Sequence, residues 1–281
     1  MILPFRCLPP ARRCLFSFRG PDAERYLNGQ LTQDVRGLGD RALLSCVTDA
    51  KGRLQALVHV FRGPDDGIWV EGPAEQEAEL EQRLTRYLIA DDVEAANLSA
   101  DWWLAHAIDA GEAPALAAGF VREAARLGDG GHDLWLPAPD LPGHGTLTAA
   151  EAETRRIHAR IPAWGAELTP GMLPPEAGLD RNAISYQKGC YIGQEVLSRI
   201  KSAGRLNRKL AAFLVEPGSV PGDPLRLAGG SRPCGTLTSV APWPNEAGLH
   251  AALGYLDKSA FETLEFEFEG KPGVAQRLGF V

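Results

Sequence analysis

The sequence predicts an α+β protein whose mixed body is followed by a small antiparallel β-barrel or sandwich. Strand-like and helix-like stretches mix irregularly up to about Asn207. Beyond it the texture changes to short strand-like runs divided by Pro and Gly turns, without a convincing helix. At 281 residues the chain also exceeds one ordinary compact domain, so two or three packed lobes are expected. The boundary is placed near Leu206, giving an α+β region over residues 1–205, its two lobes not delimited, and a β-barrel over residues 206–281.

The elements follow from local pattern. From Cys14, LFSFRGPDAERYLNGQLTQDV reads as a strand, a Gly-Pro break and a short helix with acidic residues in its first turn. Arg41 to Thr48 and Arg53 to Phe61 are strand-like runs joined by the polar turn DAKG, which predicts a hairpin, and Ile68 to Glu71 adds another strand. After Pro73, AEQEAELEQRLTRYLIADDV places Ala78, Leu80, Leu84, Tyr87 and Leu88 at helical spacing and predicts the clearest helix in the chain. A strand over Trp102 to Ile108 sends its paired tryptophans to opposite faces; a short strand near Trp135 and a helix from about Thr148 to Ala159 follow. Past Asn207, KLAAFLV, DPLRLA, PCGTLTSV, HAALGYL and TLEFEFEG are the predicted barrel strands.

Composition narrows the function classes. Apolar residues form 44% and charged residues 23% of the chain, the profile of a globular protein. A net charge of −7 argues against nonspecific nucleic-acid binding, because phosphate neutralisation needs a basic surface. No apolar run approaches the roughly 20 residues of a membrane-spanning helix. The N-terminal MILPFRCLPPARRCLF has no continuous apolar segment and reads as mature chain, so a cytoplasmic protein is expected. Five cysteines with no CxxC pair suit free thiols in a reducing compartment better than a disulfide framework. The six histidines show no metal-binding spacing, so no metal site is expected, and no GxSxG, GxGxxG or Walker pattern supports a hydrolase, dinucleotide or P-loop reading.

One run stands apart: KGCYIGQEVLSRIKSAGR, Lys188 to Arg205. Ile192, Val196, Leu197 and Ile200 share a helical face and Glu195 can pair with Arg199, so a helix begins near Gly193 with Cys190 just ahead of it. The helix dipole and Lys188 would favour a thiolate there. Spacing alone is equally what a buried small residue ahead of a helix would give. Arg199, Lys201, Arg205, Arg208 and Lys209 then place five positive charges within eleven residues, either a solvated face or a local potential for an anionic ligand.

Taken together, the motifs resemble those of the YgfZ family, folate-binding proteins related in fold to the aminomethyltransferase (T-protein) of the glycine cleavage system. KGCYIGQE is similar to the family's signature. GPDAERYLNGQLTQDV is similar to its N-terminal motif, with counterparts for Gln30, Thr32 and Asp34; PPEAGLDRNAISYQ resembles the run preceding the cysteine motif, and GTLTSV with ALGYL resembles its barrel. The resemblance implies a T-protein-like folate-binding body with ferredoxin-like lobes and a C-terminal antiparallel β-barrel. It implies tetrahydrofolate as cofactor, iron–sulfur enzymes or their assembly factors as partners, and a role in assembling or repairing such enzymes, including tRNA-modifying ones. Direct nucleic-acid binding is not expected. It makes Cys190 the functional thiol, supported by Lys188, and places Gln30, Thr32, Asp34, His158, Lys188, Tyr191, Gln194, Arg199 and Arg205 about the folate.

The chain departs from the T-protein pattern twice. Where that enzyme has acidic residues after a glycine pair, GRLQALVHV from Gly52 offers no carboxylate before Asp65, so the general acid–base group of aminomethyl transfer is missing. In RRIHARIPAWG, His158 occupies the position of a glutamate that meets the pterin, exchanging two acceptors for one acceptor and one donor. A folate-binding accessory protein is therefore the leading expectation, a folate-dependent one-carbon transferase its alternative, and a docking module a third.

Overall fold

The computed structural model describes residues 5–128, 130–141, 145–268 and 273–281. In chain order its elements are β1 (Arg6–Ala11), β2 (Cys14–Arg19), α1 (Ala23–Gln30), β3 (Leu43–Thr48), β4 (Leu54–Arg62), β5 (Ile68–Gly72), α2 (Glu77–Thr85), β6 (Glu94–Asn97), β7 (Trp103–Ile108), β8 (Phe120–Glu123), β9 (His132–Leu136) and β10 (Gly145–Thr146). They continue through α3 (Ala149–His158), α4 (Gln194–Ala203), β11 (Arg208–Val215), β12 (Pro224–Arg226), β13 (Pro233–Pro244), β14 (His250–Asp257), β15 (Glu265–Phe268) and β16 (Val274–Phe280). Two compact units do not follow chain order. The described residues up to Leu147 join Leu179–Arg199 in the first; Thr148–Gly178 joins Ile200–Val281 in the second.

In the first unit, the order β3-β4-β5-β2-β6 makes one antiparallel sheet, and β10-β1-β7-β9-β8 makes another in which β1 and β10 run parallel. Period-two alternation sorts β2: Cys14, Phe16 and Phe18 bury with Tyr26 and Leu27 of α1 and Leu80 and Leu84 of α2, while Leu15 turns to the opposite face. That face meets the second sheet through aromatic rings. Phe61 lies 5.4 Å from Trp135, Trp69 5.4 Å from Phe120, and Trp102 5.2 Å from Phe120. Trp103 goes to the other side, under the guanidinium of Arg12, as strand alternation requires of paired tryptophans.

Charges are buried in the same layer. Arg126 donates to Glu71 at 2.7 Å and to both oxygens of Asp133 at 2.7 Å; His106 meets Asp133 at 2.9 Å and His59 meets Glu71 at 3.0 Å. Both carboxylates are fully enclosed. Burial opposes ionisation of each, but Arg126 and Arg13 with His59 outweigh it at Glu71, holding that carboxyl well below its usual range. Against the same opposition, Arg126 and His106 bring Asp133 down to about 2.

The second unit joins α3 to a closed barrel of order β11-β14-β13-β12-β15-β16. A capping box starts α3, in which Thr148 Oγ1 accepts from Glu151 N at 3.2 Å and Glu151 Oε2 accepts from Thr148 N at 2.8 Å. The barrel is filled by Phe213, Phe266, Leu225 and Leu237 among others. Buried Arg156 donates to Glu167 at 2.9 Å and to Ser239 at 2.8 Å, tying α3 to β13.

The expected hairpin stands, β3 pairing with β4 across DAKG. All five expected barrel strands are present, and β16 closes the ring as a sixth. The helix after Pro73 is shorter than its pattern. After a 3-10 turn at Ala74–Gln76, α2 ends at Thr85, Ala78 is exposed and Tyr87 is 46% exposed, because Leu88 N bonds back to Thr85 O and folds Leu88 into the core.

Replacing Arg126 by Met removes the guanidinium that two buried carboxylates share, which should cost roughly 3 kcal/mol in urea denaturation at pH 7. Both acids have depressed pKa values when folded, so their contribution is complete above about pH 4.3; that of Asp133 is lost as pH falls through about 2, and that of Glu71 as pH falls well below the usual glutamate range. The stability gap between wild type and Arg126→Met should therefore narrow over that interval; a gap independent of pH would refute the pairing.

Candidate functional site

Cys190 lies between the 3-10 turn Leu179–Arg181 and α4, on a loop laid along the chain that leaves α1. Its backbone is stitched down at both ends. Ser185 N donates to Thr32 O at 2.9 Å, and Ile192 N to Gly29 O at 3.2 Å. Thr48 Oγ1 reaches across from the end of β3 to donate to Ile192 O at 2.6 Å.

Gly193 is where loop becomes helix, and two constraints require a glycine there. Its φ of +89° is in the left-handed region, and a Cβ would lie 2.6 Å from Asp49 O and 2.9 Å from Gly52 Cα. The DAKG turn that joins β3 to β4 thus doubles as the seat of the cysteine loop. Asp49 Oδ1 keeps that turn closed by accepting from Lys51 N at 2.8 Å and Arg53 N at 2.9 Å.

Lys188 does not flank the thiol as its place in the sequence suggested. Only 6% exposed, it turns inward and its ammonium donates to Leu31 O at 2.8 Å and Gln33 O at 2.7 Å. Burial draws its pKa down to about 8, with Asp34 opposing. Thr32 is completely buried: its hydroxyl donates to Ala183 O at 2.6 Å and accepts from Cys46 N at 2.9 Å. It serves the site by holding loop against strand. Gln30 is engaged from the other side, accepting from Arg83 at 2.8 Å, and Arg83 also donates to Thr48 O at 2.9 Å.

Asp34 is chelated by Arg36 at 2.9 and 2.6 Å, and those hydrogen bonds, ahead of the positive charges of Arg36 and Lys188, hold it at about 2. Tyr191 is 7% exposed with its ring centroid 5.3 Å from the Lys188 ammonium; burial pushes the phenol up to about 12, and its hydroxyl has no hydrogen-bond partner among the described residues. Gln194 opens α4, half-buried. Arg199 pairs with Glu195 at 2.7 Å on the exposed face of α4. Cys190 itself is exposed, whereas Cys7, Cys14, Cys46 and Cys234 are buried.

His158 and Arg205 belong to the second unit; both are exposed, His158 as the last residue of α3. The basic run does not act as one patch. Arg208 donates to Glu176 at 2.9 Å and lies over Tyr255, and Lys209 lies over Phe261 and Phe280. Sequence reasoning passed over Thr48, Gly52 and Arg83. Gly52 alone carried a readable signal, as the closing glycine of a hairpin turn.

No family model matches the chain. It is 29% identical over 259 residues to the tRNA-modifying protein YgfZ of Escherichia fergusonii, covering 80% of this chain and 78% of that protein. It is 27% identical over 277 residues to the tRNA-modifying protein YgfZ of Cronobacter sakazakii, covering 85% and 81%. Among solved structures it is similar to the glycine cleavage system aminomethyltransferase T of Bartonella henselae, with a TM-score of 0.79 and 16% identity over 98% of this chain and 85% of that one. The resemblance to YgfZ proteins read from the motifs is thus matched by curated homologues of that name, and the fold is that of a T-protein aminomethyltransferase. No helix among the described residues is long and apolar enough to cross a membrane.

The contrast among thiols is directly measurable. An aromatic disulfide reagent should titrate one thiol in the native protein and five after denaturation, and Cys190→Ser should abolish the native reaction; rapid reaction of several native thiols would contradict this burial pattern.

Proposed function

We propose that this protein is a tetrahydrofolate-binding accessory factor that supports the assembly or repair of iron–sulfur enzymes, tRNA-modifying ones among them. The observation that carries the reading is an exposed Cys190 on a loop whose flanks are anchored by Lys188 and Gly193. The homologues named for tRNA modification and the aminomethyltransferase fold support the same direction. One thiol cannot hold a cluster that takes four thiolates, so Cys190 acts on iron or sulfide shared with the client protein.

The residues about Cys190 suit a folate. A buried phenol held protonated and without a partner among the described residues is a donor in search of an acceptor, as a pterin or an amide carbonyl would be. Tyr191 would hold the cofactor in this way, with Gln194 supplying a further amide. Lys188, Thr32 and Gln30 fix the backbone beneath them. Bound tetrahydrofolate would supply a carrier for one-carbon groups. The transferase reading draws no support from β4, whose residues include no carboxylate; Asp65, the first acid beyond it, is occupied with Trp69 Nε1 at 2.9 Å and Arg19 at 3.0 Å.

Calorimetric titration with tetrahydrofolate should show one binding event per chain. Tyr191→Phe removes the phenol donor offered to the cofactor, so it should bind roughly tenfold more weakly. Absence of heat from both proteins would remove the folate reading. In cells lacking the native gene, wild type should restore the missing tRNA modification and Cys190→Ala should not; full restoration by Cys190→Ala would remove the thiol.

A further inference from the structure

The outer wall of the barrel carries a cleft of about 350 Å³, lined by side chains of β11, β13 and β14 and by the segment that follows α3. It lies wholly within the second unit. Strand register gathers its polar groups on one face. Arg208 of β11 stands opposite Asp257 of β14, Tyr255 precedes Asp257 by two residues, and Thr236 of β13 stands opposite Tyr255. Thr238 joins them at a bulge: the register of β13 against β14 shifts between Leu237 and Ser239, and the consecutive hydroxyls of Thr238 and Ser239 both reach Glu167, at 2.7 and 2.6 Å.

The bonds already made decide what the cleft can still offer. Tyr255 gives its hydroxyl proton to Glu167 O at 3.0 Å and Thr238 gives its own to Glu167 Oε1, so both oxygens are left as acceptors. Glu167 is full, since Arg156 and Ala163 N occupy its second oxygen at 2.9 Å each. The guanidinium of Arg208 lies 4.6 Å from the centroid of the Tyr255 ring with Nε held by Glu176 at 2.9 Å, and its two Nη groups have no acceptor among the described residues. Asp257 has no donor among them. Although it faces Arg208 across the ladder the two form no ion pair, and although it begins a 3-10 turn its side chain does not cap that turn. One cation and one anion thus line the same cleft, held apart, with neutral acceptors beside them.

We infer that this cleft binds a free α-amino acid. The ligand's carboxylate matches the paired Nη donors of Arg208, and its ammonium finds Asp257 together with the acceptor oxygens of Tyr255 and Thr238. A simple anion such as phosphate would set its charge against Asp257, and a neutral polyol would leave both charges of the cleft unanswered. The glutamyl end of a folate does not fit either, because its amine is acylated and carries no charge for Asp257.

Calorimetric titration of the purified chain with the proteinogenic amino acids, one at a time and up to about 10 mM, should give saturable one-to-one binding of at least one of them with Kd below about 1 mM. The N-acetyl and carboxamide derivatives of that amino acid each lack one charge and should bind roughly tenfold more weakly than the parent. Asp257→Asn should weaken the parent's binding to the same degree while the thermal midpoint stays unchanged, because the carboxylate bonds to nothing in the fold. Arg208→Gln should weaken it likewise, with Asp257→Asn deciding the matter if the release of Glu176 destabilises that variant. Tetrahydrofolate in the cell should leave the amino-acid affinity as it was. Absence of saturable heat from every amino acid overturns the inference, as do an acetylated derivative that binds as tightly as its parent, an affinity indifferent to Asp257→Asn, and mutual exclusion with tetrahydrofolate.

Discussion

The ammonium of Lys188, shared between the carbonyls of Leu31 and Gln33, is the interaction on which the cysteine loop depends. Those two carbonyls lie in the segment leaving α1, and a buried acceptor left unmet is costly. A cation is the strongest donor available for two such acceptors at once. The same bond takes the positive charge out of solvent, so Lys188 serves to fix where the thiol stands.

A comparable solution recurs in each unit. Arg126 in the first and Arg156 in the second are buried arginines that each engage two acidic side chains, Glu71 with Asp133 and Glu167 with Glu153. Glu167 receives the hydroxyls of Thr238 and Ser239 at 2.7 and 2.6 Å as well, so its lone pairs are filled. The planar fork of arginine matches carboxylates in fixed directions, and each network therefore sets the registry of the elements it joins: sheet to sheet around Arg126, helix to barrel around Arg156. Apolar packing supplies the bulk of the driving force in both layers, and these networks select one arrangement of it.

Much of this was legible in the chain, and what was not has physical reasons. Alternation and turn chemistry located β2 to β5, β7, β9 and the barrel strands β11 to β15 because each is half-buried or bounded by a glycine or proline, while β16 went unread. β1 carries Pro9 and Pro10 at a register shift against β7, which hides a strand behind residues that ordinarily end one. β6 and β10 are four and two residues long, too short for a period to register. At the site, the helix after Gly193 could be read from spacing, yet the roles of Lys188 and Thr32 could not. Their partners are backbone atoms more than 150 residues away, and a carbonyl oxygen leaves no mark on a sequence. The family likeness marked those positions; only coordinates turned expected ligand contacts into a scaffold.

A thiol that is to react with another molecule must be both presented and immobile, and these demands conflict, since exposed loops are ordinarily the mobile parts of a fold. This loop reconciles them by dividing labour along three consecutive kinds of residue. Buried Lys188 and Tyr191, on either side of Cys190 in sequence, anchor its neighbours, Gly193 allows the backbone to press on the DAKG turn, and the side chain of Cys190 is left to solvent. Substituting the anchors would leave the thiol exposed but unplaced, whereas burying the thiol would leave it placed but unreachable. The octapeptide KGCYIGQE encodes both conditions, which is why it reads as chemistry although no single residue in it departs from what a helix start could contain.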